Sequence, residues 1–418
     1  MRRIAALPLL FFIYSCSASD ATVGVADDTV KSPLAGTATT VAMSRVDLGT
    51  LGGQSSYAAD INSDDIVVGW SETTTGTTHA FRWNSGSGMV DLGTLPGDDI
   101  SRAVSVLGGT TGEILGMSGK NGRWTPVVWS ATGSVRALTI PLPSNSSITL
   151  PTAFNVRGEV VGSDAGGREA GWIWSEAEGK NDLSASLAGA LGGNASDITE
   201  SGLVVLTIGA TTCVHNPSCW RTYLWQKASG YRAVGLFERN SESSVVGLGA
   251  NESGTVVGWA SVGDSESAPW RWDQSKGFTR LAGYSASGSS YGYATALNST
   301  GTTVGASLEP GSGSIVASLW LTDGSIVRLS PSDPNPSVAV AINERGNVAG
   351  WAALAGGVNH AVLWKTSATT SAVVLSPPTA MRGAASTSSS GCLGDVRSIT
   401  SRQSLFACVS KADFARKR

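Results

Sequence analysis

A phrase of about 46 residues is rewritten seven times along this chain, and a repeat of that length limits the fold more than any other feature of the sequence. Its core is an N-x-x-G turn followed by an apolar run. The phrase recurs as NSDDIVVGW (62–70), GTTGEILGM (109–117), NVRGEVVGS (155–163), TESGLVVLT (199–207), NESGTVVGW (251–259), NSTGTTVGA (298–306) and NERGNVAGW (343–351). A second anchor runs in phase with it, a tryptophan closing the next apolar stretch at Trp83, Trp129, Trp174, Trp225, Trp272, Trp320 and Trp364. A short turn and another short strand follow, as in MVDLGTL (89–95) and SVRALTI (134–140).

Each unit therefore offers four strands, and four-stranded units at this period predict an all-β chain folded as a β-propeller. The composition agrees: 52 glycines, 14 tryptophans and 15% charged residues favour short strands joined by tight turns, and no segment sustains helical periodicity. The second strand of each unit is apolar almost without alternation, as expected of a sheet covered on both faces by neighbouring blades. Asn62, Asn155, Asn251, Asn298 and Asn343 occupy the first position of a type I turn, where the side chain bonds the backbone, and glycine commonly takes the fourth. The glycine inside VVG points to a bulge or a close backbone approach.

The stretch RVDLGTL (45–51) precedes the first complete unit and reads as a fourth strand without a blade. DVRSITSRQSLFACVSKADFARKR (395–418) reads as three degenerate strands lacking a fourth. Joining the two predicts an eighth blade stitched from both chain ends, within a single propeller domain spanning 44–418. A Cys392–Cys408 disulfide would staple that blade by about 3 kcal/mol on the chain-entropy account. The alternative is seven blades, with the N-terminal strand pairing with the seventh unit and residues 376–418 as an appendage.

The N-terminus, MRRIAALPLLFFIYSC, places Arg2 and Arg3 before an apolar run from Ile4 to Tyr14, too short to span a bilayer and shaped like a signal peptide (1–16). IYSC resembles a bacterial lipobox, which implies lipidation at Cys16 and, from Ser17, outer-membrane sorting. Tyr14 stands where a small residue is usual, so cleavage near Ala18 is the alternative. Residues 17–43 read as a flexible tether. Export makes disulfides the expected state of the other cysteines, Cys213 with Cys219 inside CVHNPSC and Cys392 with Cys408. Zinc on Cys213, His215 and Cys219 is the rival reading, although the spacing fits no common zinc pattern. With 29 Lys and Arg against 32 Asp and Glu, and no long block of either sign, nucleic acid is excluded as a partner.

In DLGTLGG (47–53), INSDDIVVGW (61–70) and HAFRW (79–83) the chain resembles the HAF-repeat family of bacterial extracellular proteins, with His79, Ala80 and Phe81 as the triplet. The resemblance covers residues 46–375. Unit 7 keeps NHAVLW (359–364), while units 2 to 6 replace the histidine by Thr125, Ala170, Arg221, Ala268 and Val316. It implies export and a repeated β fold, and brings no activity onto these positions.

No catalytic constellation stands out: the sequence has no H-E-x-x-H and no sialidase-type Asp box. Candidate binding residues gather instead on one face. Trp70, Trp259 and Trp351 end second strands, where other units place Met117, Ser163, Thr207 and Ala306. In a propeller, that end of the strand shares a face with the connections between blades, which vary most here. Those connections supply Asp98 and Asp99 in LPGDDIS, and Tyr291 and Tyr293 in LAGYSASGSSYGY; the CVHNPSC insertion adds His215. Loops on a rigid scaffold commonly carry binding, and flat aromatic faces suit sugars or peptide side chains. The expectation is an exported, lipid-anchored, monomeric envelope protein that binds a glycan or another envelope protein, without cofactor or metal. A polysaccharide-active propeller hydrolase or lyase is the second reading, and a structural repeat without ligand the third.

Overall fold

In the computed structural model, the stretch from Gly52 to Asp91 folds as four consecutive antiparallel strands: Gly52–Ile61, Val67–Thr73, Thr78–Asn84 and Gly88–Asp91. The structure describes residues 43–366, apart from short segments at 110–111, 145, 166–169, 188–189, 211–218, 240–242, 263–265, 285–290 and 310–311. The same meander repeats as blades 2 (100–137), 3 (148–182), 4 (190–233), 5 (245–280) and 6 (292–328). Blade 7 takes three strands from Ser337–Ile342, Val348–Ala353 and Asn359–Thr366, and its fourth is the N-terminal strand Met43–Asp47.

The ring thus closes at seven blades, which corrects the expectation of eight and agrees with the alternative. The N-terminal strand runs antiparallel to Asn359–Thr366, with Arg45 opposite Trp364 and Asp47 opposite Val362. It completes the last repeat instead of founding a blade with residues 395–418. Those residues, with Cys392 and Cys408, lie outside the described residues, as do the expected signal peptide, Cys16 and the expected tether up to residue 42; Met43, placed at the end of that tether, instead begins the N-terminal strand.

Every first strand carries a bulge at the same place, between Ala58 and Asp60 in blade 1 and at the equivalent pairs of the other six. The bulge explains the VVG glycine. A Cβ on Gly69 would lie 2.0 Å from the Tyr57 carbonyl oxygen, and Gly116, Gly162, Gly258, Gly305 and Gly350 meet the same obstacle from Arg102, Leu150, Val246, Tyr293 and Val338. Blade 4 has Leu206 at this position, and its side chain takes the space left by Gly171 on the preceding blade.

Apolar side chains form layers between adjacent blades instead of one central core. Trp172 and Trp174 pack with Leu115 and Val128 across blades 2 and 3, and Phe81 and Trp83 pack with Ala361 and Leu363 across the seam. Polar stitches cross the same junctions: Thr152, Ser196 and Thr295 donate hydroxyls to Ala195, Gly247 and Ala339 carbonyls at 2.7, 2.8 and 3.0 Å.

The turn asparagines do more than shape their own turns. Asn62 Oδ1 accepts the amides of Asp64 and Ile66, while its Nδ2 donates to the Leu107 oxygen of blade 2 at 2.9 Å. Asn155, Asn251, Asn298 and Asn343 repeat this reach into the next blade. Glutamates return the contact: Glu200 accepts the Val156 amide of blade 3, and Glu344 the Ser299 amide of blade 6. One face of the ring is therefore built of short, uniform, interlocked turns, and the irregular connections collect on the other.

The variable-loop face as candidate binding site

Beneath the variable-loop face the first two strands of every blade contribute one paired position each: Tyr57 opposite Trp70, Arg102 opposite Met117, Leu150 opposite Ser163, Asn194 opposite Thr207, Val246 opposite Trp259, Tyr293 opposite Ala306 and Val338 opposite Trp351. The three tryptophans are not displayed to solvent. Trp70, Trp259 and Trp351 are 4%, 1% and 1% exposed, in one apolar cluster with Tyr57, Tyr293, Val246 and Val338 that spans blades 5, 6, 7 and 1.

Each tryptophan is answered by a planar group on the following blade. Trp351 meets Tyr57 edge to face with ring centroids 6.0 Å apart, Trp70 lies 5.4 Å from the Arg102 guanidinium, and Trp259 shares its cluster with Tyr293. Where the second strand ends in a smaller residue, the next blade supplies an aliphatic or amide group: Met117 precedes Leu150, Ser163 precedes Asn194, and Ala306 precedes Val338. The tryptophans are wedges between blades.

The partly exposed groups above this floor are Trp220, Tyr291 and Ile315, which pack against the cluster, and Trp124. Trp124 sits 5.7 Å from the Arg102 guanidinium, so that this cation lies between two indoles. Tyr293 is fully buried, which raises its pKa well above that of a free phenol, and its hydroxyl has no hydrogen-bond partner among the described residues. Trp124, Trp220 and Arg102 escaped the sequence reading. Arg102 carried a usable signal, because it falls at the register position of Tyr57.

The remaining sequence candidates are scattered. Asp98 accepts the Ser118 hydroxyl at 2.7 Å and Asp99 faces solvent, 3.9 Å from Lys120. His215 and Cys213 lie outside the described residues. Cys219 is buried and disulfide-bonded, with its partner outside the described residues. Among the described residues no group of three His, Cys, Asp or Glu side chains could hold a metal. No described helix is long and apolar enough to cross a membrane.

The HAF triplet has a structural reading. His79 Nδ1 meets Asp91 of the adjacent fourth strand at 2.8 Å, Ala80 donates its amide to Ser101 of the next blade, and Phe81 is fully buried. His360 repeats the contact with Asp47 at 2.9 Å. Both histidines face the aspartate of a VDLGTL strand.

No protein-family profile matches the chain, and no curated protein matches it. Solved structures do share its fold. A streptogramin B lyase structure superposes with a TM-score of 0.50 at 12% identity, over 78% of this chain and 98% of that one. A puromycin-hydrolysing peptidase from Mycobacterium tuberculosis gives 0.54 at 12% identity, over 77% of this chain and 53% of that one. The propeller domain of the Trilobed protease from Pyrococcus furiosus gives 0.50 at 11% identity, over 74% and 96%. At these identities the likeness establishes the β-propeller class and nothing finer.

Proposed function

We propose that this chain is an exported, lipid-anchored cell-envelope propeller that acts as a binding scaffold through its variable-loop face, with a glycan or an envelope protein as ligand. The observation that carries the reading is the asymmetry of the two faces. One is made of uniform turns clasped to one another; the other combines irregular loops with Trp124, Trp220 and Tyr291, partly exposed above a rigid aromatic floor. Rigid support beneath adaptable loops lowers the ordering cost of binding. The likeness of IYSC to a lipobox and of the repeat phrases to the HAF-repeat family supports export, and a Cys213–Cys219 disulfide fits that location.

The fourteen paired positions beneath the face include one formal charge, Arg102, and no carboxylate. A glycosidase-type pair is not built there, so the hydrolase or lyase reading rests on fold likeness alone. The deciding experiment is an array screen of the mature protein against glycans and envelope proteins, followed by Trp124→Ala, Trp220→Ala and Tyr291→Ala. Loss of a hit in these variants while each still unfolds cooperatively above the assay temperature supports the reading. A hit that all three retain removes the face from consideration, and turnover of an arrayed polysaccharide would favour the enzyme.

A further inference from the structure

On the opposite face, between blades 3 and 4, lies a cleft of about 120 Å³ lined by Glu159, Ile173, Trp174, Glu178, Asn181, Trp225 and Lys227 among others. The neighbouring junction shows how such a place is otherwise filled. In blade 4, Arg232 stands opposite Leu224 on the fourth strand. It reaches into blade 5, where its guanidinium lies 5.5 Å from the Trp272 ring and donates to Gln274. In blade 3 the same register position, opposite Ile173, is Asn181. Trp225 corresponds to Trp272, and Lys227 to Gln274. Asn181 is too short to cross, so the cleft remains open beside Trp225.

Between blades 5 and 6 the equivalent space is closed from the third strand. Arg271, at the position of Ile173, donates to the Gly301 and Thr322 oxygens at 3.1 and 3.2 Å. Two junctions thus spend an arginine of the chain itself here, and the junction between blades 3 and 4 has Ile173 and Asn181 instead. Its lining carries two carboxylates, Glu159 and Glu178, and one cation, Lys227, which pairs with Glu178. Glu159 also accepts from Asn155 and Arg157, at 2.7 and 2.6 Å.

We infer that the cleft between blades 3 and 4 is a guanidinium site, which takes the arginine side chain of a peptide partner in the way the adjacent junction takes Arg232. Indole walls and a carboxylate rim are the chemistry that recognises a planar cation. The site lies on the clasped-turn face, so its fate is independent of the loop-face reading.

Calorimetry with Nα-acetyl-arginine amide and its neutral citrulline analogue tests the assignment on the full mature chain. Arginine is expected to bind at least tenfold more tightly than citrulline. Asn181→Arg, which supplies the missing side chain from within, is expected to lower arginine affinity at least tenfold. Glu178→Gln, at an exposed rim position, should weaken it severalfold and decides the matter if Asn181→Arg does not fold. No measurable arginine binding at millimolar concentration, equal affinity for citrulline, or affinity unchanged in both variants would overturn the inference.

Discussion

The side-chain amide of Asn343 donates to the backbone oxygen of Asn62 at 2.9 Å, joining residues 281 positions apart. It is the seam's copy of a clasp that also binds Asn251 to the Asn298 oxygen at 3.0 Å and Asn298 to the Asn343 oxygen at 3.5 Å. Asn343→Ala removes a buried donor and leaves the Asn62 oxygen with one partner fewer, at a cost of about 1–3 kcal/mol. Asn298→Ala, with its longer contact to the next blade, should cost less. Urea unfolding of both variants checks the order; equal midpoints would mean that only the local turn matters.

The bulge-facing glycines tolerate no side chain. Gly69→Ala drives a Cβ to within 2.0 Å of the Tyr57 oxygen and must displace backbone, so a loss of about 3 kcal/mol is expected. Gly86→Ala, in an exposed turn with only the Asn84 side chain nearby at 3.3 Å, should stay within about 0.5 kcal/mol. Thermal melts of the two proteins side by side decide this.

The His360–Asp47 pair bridges the seam of the ring with both side chains partly exposed, at 19% and 45%. A double-mutant cycle with His360→Ala and Asp47→Ala should give a coupling of only about 0.2–1 kcal/mol, smaller at high salt. The His79–Asp91 cycle within blade 1 should match it. A seam coupling several times larger would show that the pair, and not the strand hydrogen bonds, holds the ring shut.

Trp351→Ala empties a fully buried site between two blades and should cost about 3–5 kcal/mol. Trp220→Ala trims a partly exposed ring and should cost less than half of that. Denaturation curves separate the two, which makes Trp220 the informative position for binding assays.

Acid should loosen the ring near blade 3. Burial acts to raise the Glu159 pKa, but hydrogen bonds from Asn155 and Arg157 and the charge of Arg157 outweigh it, and the folded value lies below the ordinary 4.5. A depressed carboxylate stabilises the fold above its unfolded pKa, and that contribution is lost as pH falls through the folded pKa. Glu159→Gln should therefore flatten the decline of stability below about pH 4.5. A pH series of unfolding midpoints that runs parallel in both proteins would contradict the assignment.

The blades were legible because the N-x-x-G turn and its phased tryptophan are local signals, set by backbone geometry and interblade packing. The seam was legible only as one of two alternatives, since strand propensity alone cannot say which of two distant sets of three strands a lone fourth strand completes. His360 held the missing clue. In blade 1 the HAF histidine answers the aspartate of VDLGTL, so a second such histidine in the last repeat called for the other VDLGTL, at Val46–Leu51. The burial of Trp70, Trp259 and Trp351 was hidden for a related reason: their partners Arg102, Tyr293 and Tyr57 stand on the next blade, where periodicity within one unit does not reach. Nor does a single repeat reveal that Asn181 is short; only the neighbouring Arg232 makes the gap visible.

Because Met43–Asp47 pairs with Asn359–Thr366, the first of the described strands to leave the ribosome waits for the last of them to arrive. Blades 1 to 6 can assemble as they emerge, but Met43–Asp47 keeps bare hydrogen-bonding edges until Asn359–Thr366 has been made. A prematurely terminated product cannot shut, and its open rim gives proteases and chaperones a physical mark by which unfinished copies differ from whole ones.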